Sequence, residues 1–470
     1  MREHMLRWDK LLNQVRRKEL HGAKESIGTG IGRTESERDY DRILFAAPTR
    51  RLADKTQVFP MEENDSVRTR LTHSFEVSNL ARGIGVRLSF EYADKVFGAD
   101  HEKLQVKRNV PSILAAVGLA HDLGNPPFGH QGELAMQQWF ASLDSKEFIS
   151  ADFLSFDGNA QTFRLLTQLQ LLNDKFGLNL TVGTLAALLK YPSIYGSNKM
   201  GGFKKHGIFS SESEIIKEVW AETGLSEGVR HPLAYIMEAC DDIAYSIIDA
   251  EDTVKKGYAS FYDLMDYLEG FSDTNETMDD VIKASRKKNK EFKNENLSSR
   301  ELNDISMQML RVKAVSEMVS AATNVFVENI DNIMSGNIAP GFELIKNSSC
   351  AELCKATKSF DLIHGFQHKD VLRLELQGSN YIKSMMSMLW DAVSKGNQEN
   401  YPFERYVYGS ISENYRRIYM ASDKSAYAKC QLVCDALSGM TESYLIKKTR
   451  RIQVSKKCYI SSDLRLRLKS

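Results

Sequence analysis

The chain has 470 residues, 42% of them hydrophobic and 26% charged, which is enough apolar material for a sizeable core. Lys plus Arg and Asp plus Glu each total 62, so no overall basic charge recruits nucleic acid, although a local basic patch stays open. No apolar run approaches the roughly 20 residues that a membrane helix needs.

The N-terminal stretch 1–22 is charged and amphipathic and lacks the apolar centre of a signal peptide, so a cytoplasmic location is expected. Helical periodicity then recurs at 72–88, 110–124, 181–191, 231–254 and 313–330, while proline is scarce and alternating strand patterns are few. These features predict an all-α protein without internal repeats. Residues 195–213 are rich in Gly, Lys and Ser and follow a helix stop at Lys190-Tyr191-Pro192, which marks a loop. Residues 272–304 are dense in charge and read as a solvated helix or a mobile insertion. The cysteines at 240, 350, 354, 430, 434 and 458 include two CxxxC pairs but no CxxC, so buried free thiols are expected before a structural zinc site. No clear boundary divides the chain. It reads as one large helical body over 1–470, with a catalytic core at 66–252 and a C-terminal helical part at 300–470.

The chemistry concentrates in AHDLGNPPFGHQGE, residues 120–133. An apolar helix carries His121 and Asp122 in its last turn, where burial of a carboxylate demands a cation or dense hydrogen bonding. A rigid Gly-Asn-Pro-Pro turn follows, and a new helix begins with His130 and Glu133 at i, i+3 on one face. Two other apolar helices supply suitable partners, His73 on one and Asp241-Asp242 on the other. Taken singly, each reads as a satisfied core residue. Together, two His and two carboxylates form a mixed N/O donor set suited to Mn, Fe, Co, Ni, Zn or Mg.

The stretches KTQVF, RTRLTHSFEV, AHDLGNPPFGHQGE, LLKYP, EACDDIAY and DALSGMTESY, in that order, resemble the deoxyguanosine triphosphate triphosphohydrolases of the HD-domain superfamily. The resemblance runs from about residue 38 to 450. It implies an HD-type helical core elaborated with the C-terminal helical region. It also implies a divalent metal, Mn²⁺ or Mg²⁺ before other transition metals, held by His73, His121, Asp122 and Asp241. Asp241 is preferred to Asp242 because the family's metal Asp lies four residues before a sugar-contacting Tyr, here Tyr245. His130 and Glu133 are implied as the catalytic pair, with the carboxylate orienting the imidazole. Arg70 matches an α-phosphate arginine; beside that match, the charge and position of Lys190 suit a second phosphate clamp and those of the Lys204-Lys205 loop a lid. Tyr245 would pack on deoxyribose where a ribose 2′-OH would collide, with Asp249 and Gln57 on the 3′-OH. Asn125 would contact phosphate or water, and Asn159 would line the site.

The implied reaction is hydrolysis of dGTP to deoxynucleoside and inorganic triphosphate. The implied partners are a homo-oligomer, as a hexamer, and a single-stranded DNA effector, with no membrane. Three rivals stay open: a broad, nucleotide-regulated dNTP triphosphohydrolase, another HD phosphohydrolase, and a catalytically silent nucleotide- or DNA-binding regulator.

Overall fold

The computed structural model describes residues 5–22, 32–62, 64, 66–143, 150–170, 174–196, 202–203, 205–271, 275–396 and 400–467, with side chains to residue 455. Among these residues the chain is helical, and β structure is confined to three isolated bridges, Arg16–Thr181, Thr56–Thr69 and Ile194–Ile208. The helices used below are α1 (Glu35–Phe45), α2 (Arg70–Glu91), α3 (Val106–Ala120), α4 (Gly129–Ala141), α5 (Gly158–Arg164), α6 (Val182–Ala187), α7 (Pro232–Ile243) and α8 (Asp249–Lys255). They continue with α9 (Glu276–Phe292), α10 (Ser299–Glu328), α11 (Ala351–Asp361), α12 (Lys369–Lys395), α13 (Glu413–Ala421), α14 (Ala426–Ser438) and α15 (Glu442–Arg467).

Helix α2 opens with a capping box in which Thr69 and Thr72 satisfy each other's backbone N–H. It packs along α3, and α7 lies against both. The α2–α3 approach is close because Gly118 has no side chain: a Cβ there would meet the Ser78 backbone at 2.8 Å. Ser78 uses the same proximity to donate its hydroxyl to the Ala115 carbonyl at 2.8 Å. Small residues in ILAAVGLA therefore let two helix backbones meet, and their His side chains meet with them.

His231 caps α7 through its ring, accepting from Leu233 N at 3.1 Å, and Pro232 occupies the first helical position. Beyond Ile243 the chain does not break. Residues Ala244–Ile248 widen into π-helical hydrogen bonding and pass directly into α8. Such π segments recur at functional sites because they re-aim the side chains on one helix face.

One hydrophobic cluster draws on both halves of the chain, with Leu114, Phe163, Ile236, Phe326, Leu389 and Leu437 all fully or almost fully buried in it. The charged stretch after 272 forms α9, a capped break at Ser298 and the start of α10, so it is a solvated helix over most of its length. Residues 272–274 and Lys204 lie outside the described residues. Cys240, Cys350, Cys354, Cys430 and Cys434 are free and buried, while the Cys458 side chain falls outside the described set. No helix among the described residues is long and apolar enough to cross a membrane.

Candidate metal centre and active site

Three donors converge where α2, α3 and α7 meet. His73 Nε2 lies 3.3 Å from Asp241 Oδ1, and His121 Nε2 lies 3.6 Å from the same oxygen. The ligand atoms of His73, His121 and Asp241 all fall within 4.8 Å of one another. His121 donates Nδ1–H to the Gly118 carbonyl at 2.7 Å, which fixes the ring with Nε2 facing the cluster. That Nε2 is buried and has no hydrogen-bond partner among the described residues. An orphaned imidazole nitrogen beside a second imidazole and a carboxylate is the donor chemistry a divalent transition metal takes. The residues fit the group.

Asp122 lies at the edge of this cluster. Its Oδ2 is 3.4 Å from His121 Nε2, but the same oxygen is ion-paired with the Arg70 guanidinium, and Oδ1 accepts from Asn125 Nδ2 at 2.9 Å. The carboxylates dominate the local field. Burial opposes a charge on His121, yet Asp122 and Asp241 outweigh it and push its pKa up to about 9. Burial likewise opposes ionisation of Asp241, but His73, His121 and Lys190 hold its carboxyl well below the usual range. The site is built for a concentrated positive charge.

The chain between α3 and α4 is held from several directions. Lys55 Nζ donates to the Asn125 carbonyl at 2.5 Å and to the Ser438 carbonyl, at the end of α14, at 2.8 Å. Burial, followed by the nearby charges of Arg70 and Arg51, lowers the Lys55 pKa to about 7. Phe128 is left-handed at φ 65°, a strained conformation for an aromatic residue. It is kept there because its N–H donates to Glu442 Oε1 at 2.9 Å. Glu442 also accepts from Thr56 N at 2.7 Å and from the Thr56 hydroxyl at 2.6 Å. One buried carboxylate of α15 thus ties the KTQVF segment to the catalytic turn.

Immediately after that turn, His130 Nδ1 pairs with Glu133 Oε2 at 3.0 Å. The imidazole is exposed at 78%, whereas the Glu133 side chain is buried at 7%. Glu133 Oε1 accepts from Gly158 N at 2.7 Å, which fixes the carboxylate from behind. Only glycine fits at 158, because a Cβ would overlap Asn125 Oδ1 and stand 3.0 Å from Glu133 Oε1. The hydrogen bond from Glu133 raises the His130 pKa above its ordinary value.

The chain belongs to the deoxyguanosinetriphosphate triphosphohydrolase-like family. It is 35% identical over 468 residues to a deoxyguanosinetriphosphate triphosphohydrolase-like protein of Listeria monocytogenes serovar 1/2a, covering 93% of this chain and 97% of the relative. A similarly named protein of Synechocystis is 30% identical over 460 residues, again covering 93% and 97%. The deoxyguanosinetriphosphate triphosphohydrolase of Yersinia pestis (strain Pestoides F) is 31% identical over 490 residues, covering 89% and 94%. Residues 70–189 match the HD domain family. In this HD-domain hydrolase the matched stretch contains His73, His121 and Asp122, and α7 brings Asp241 from beyond it.

The other residues singled out in the sequence fall around this centre. Lys190 Nζ is 3.6 Å from Asp241 Oδ2 and 3.7 Å from Glu238 Oε1. Arg70 also donates Nε–H to the Thr56 carbonyl at 3.0 Å, which sets KTQVF against the start of α2. Gln57 keeps a buried side-chain oxygen without a partner among the described residues. Asp249 is fully buried with neither carboxylate oxygen bonded among the described residues, and burial together with the Asp252 charge pushes its carboxyl well above the usual range. Asn159 commits its amide nitrogen to Asp157 at 2.7 Å, completing the cap of α5. Asp242 is drawn away from the centre by Lys358 at 2.5 Å.

Several neighbours were not legible in the sequence. Phe366 lies parallel to Tyr245 at 5.9 Å, and Lys358 sits over the same ring at 5.3 Å. Lys205, singled out in the sequence with its loop, pairs with Asp157 at 2.6 Å and lies 3.9 Å from Glu133 Oε2. The double-carbonyl role of Lys55 and the reach of Glu442 also gave no local signal. The nearest clue was that Lys55 opens KTQVF and Glu442 lies within DALSGMTESY.

Proposed function

We propose that this chain hydrolyses dGTP, in a metal-dependent reaction, to deoxyguanosine and inorganic triphosphate. The observation that carries this reading is the convergence of His73, His121 and Asp241 beside the Arg70–Asp122 pair, one short turn from His130 and Glu133. Mn²⁺ or Mg²⁺ held by His73, His121 and Asp241, with Asp122 alongside, would polarise the α-phosphate and activate a water.

Water attacks the α-phosphorus, the bond to the nucleoside 5′-oxygen breaks, and that oxygen must gain a proton as it leaves. His130 is the group suited to supply it, because Glu133 keeps the imidazole protonated to higher pH than usual. Arg70 and Lys190 offer cations to the phosphates. Tyr245, against which Phe366 stacks, would pack on the sugar, and the Asp249 and Gln57 oxygens, which have no partner among the described residues, suit its 3′-OH. The same reading carries as expectations an Asn125 contact to phosphate, a homohexamer, a single-stranded DNA effector and a cytoplasmic location.

Incubation with each dNTP and either Mn²⁺ or Mg²⁺, followed by chromatography, tests it. Inorganic triphosphate from dGTP before other dNTPs is expected. Equal rates on all four dNTPs would favour the broad-specificity reading, and release of pyrophosphate or a monophosphate would overturn triphosphohydrolysis.

A further inference from the structure

Arg230 opens the stretch RHPLAYIMEACD, which ends on the candidate metal ligand Asp241. On α7 itself Tyr235, Glu238 and Asp241 follow one another at i, i+3 and share a face. Arg230 and Glu238 are both almost fully buried. They pair by two contacts, Nη1 to Oε2 at 2.6 Å and Nη2 to Oε1 at 3.4 Å. A forked pair of this kind fixes the plane of the carboxylate as well as its distance.

Ring faces enclose the guanidinium. Its central carbon lies 5.1 Å from the centroid of Phe203, 5.1 Å from Tyr235 and 5.9 Å from Tyr191. Its Nε is buried with no hydrogen-bond partner among the described residues. Arg230 therefore directs its polar bonding to one group, the Glu238 carboxylate.

Lys190 meets that carboxylate from the other side. Its ammonium is 3.7 Å from Glu238 Oε1 and 3.6 Å from Asp241 Oδ2. At these distances charge holds it between two acids, and no hydrogen bond fixes it to either. Opposite charges then alternate along a row: Arg230, Glu238, Lys190, Asp241. Tyr191, the next residue, lays its ring against Arg230, so the pair engages both members of Lys190-Tyr191. A buried ion pair contributes little net stability once desolvation is counted. What this one supplies is a fixed anion beside a loosely held ammonium at the edge of the metal centre. Without it the ammonium would settle on Asp241 alone.

We propose that Arg230 and Glu238 are positioning residues for Lys190, with Phe203 pressing on the guanidinium from the segment after Tyr191. The proposal rests on the triphosphohydrolase reading, in which Lys190 takes a substrate phosphate. Glu238 keeps the ammonium off Asp241 and aimed at that phosphate.

Calorimetric titration of inorganic triphosphate into the full chain, with Mg²⁺ present throughout, tests this without turnover. On charge alone, Glu238→Gln should bind the anion more tightly, because a nearby negative charge is gone. The positioning role requires the opposite, a loss of about tenfold, the scale of directly coupled neighbours. In a Lys190→Met background the same substitution should change affinity by less than about twofold. Glu238→Gln leaves the buried Arg230 without its counter-charge, so Arg230→Met/Glu238→Gln is the second variant if the first fails to fold. It should show the same loss and the same dependence on Lys190. Tighter binding in Glu238→Gln, or an equal loss with and without Lys190, overturns the positioning role. A wild type with no affinity for triphosphate overturns Lys190 as a clamp and the positioning role with it. Product analysis separates these results from the reading beneath them. Pyrophosphate or a monophosphate released from dGTP overturns triphosphohydrolysis, whereas intact triphosphate with equal losses in both backgrounds overturns only the role of Arg230 and Glu238.

Discussion

Asp241 Oδ1 stands 3.3 Å from Nε2 of His73 and 3.6 Å from Nε2 of His121, so one carboxylate oxygen is shared between imidazoles from two helices that close packing brings together. The neighbouring Asp242 turns the other way, to Lys358. Asp241→Asn, His73→Ala and His121→Ala should each abolish metal binding and activity together, because each removes a donor from a small set. Asp242→Ala should keep its metal. Elemental analysis of the purified variants decides it, and metal loss in Asp242→Ala with retention in Asp241→Asn would reverse the assignment.

His130→Ala should keep metal, fold and nucleotide affinity yet lower kcat by roughly 10²–10⁴-fold, the range of a positioned acid–base group. Glu133→Gln should show a smaller loss, and the double variant should be little worse than His130→Ala. Strictly additive losses in steady-state rates would show that the two residues do not act as a unit.

The pH profile follows from the same pair. Glu133 raises the His130 pKa, so the protonated imidazole persists to higher pH and is lost as pH rises through the folded-state value. The basic limb of kcat should therefore lie above the ordinary imidazole value of about 6.5 and should move down in Glu133→Gln. A limb that stays in place in that variant would assign it to another group.

Sugar selection is expected from the Tyr245 ring, which Phe366 backs by stacking against it at 5.9 Å. Wild-type enzyme should prefer dGTP to GTP, and Tyr245→Ala should narrow the ratio of kcat/KM by roughly tenfold or more, the scale of one lost packing contact. Equal use of the two nucleotides by the wild type would refute the argument.

Glu442→Ala removes one acceptor from two backbone donors, Thr56 N and Phe128 N. Each donor left without a partner costs about 1–3 kcal/mol. Chemical denaturation should show that loss, and kcat should fall with it because Phe128 no longer has support for its left-handed backbone.

The fold class was legible because α3 and α7 carry clear 3.6-residue periodicity, and ionisable groups at 121, 122 and 241 at the ends of such apolar helices are chemically conspicuous. Helix α2 gave a weaker pattern, because its buried face includes Arg70, His73, Ser74 and Ser78. The π turn at Ala244–Ile248 was not legible, since a one-residue widening leaves the apolar pattern almost unchanged. Nor was the state of Asp122, whose partner Arg70 lies 52 residues earlier. Lys55 looks in sequence like any polar loop lysine, and only the fold shows two carbonyls converging on its ammonium. Residues such as Phe366 and Lys358 act across helix contacts, for which a linear pattern carries no signal.

The Glu442 clamp bears on how the enzyme comes into being. Phe128 and Glu442 are 314 residues apart, so the turn bearing His130 cannot be braced while the ribosome is still making most of the polypeptide. The nascent chain can carry every imidazole and carboxylate of the centre and still lack the support that holds them in register. Competence to hydrolyse nucleotides should then appear abruptly, once α15 has emerged and docked. A protease cut just before residue 442 should silence the enzyme without touching a single ligand.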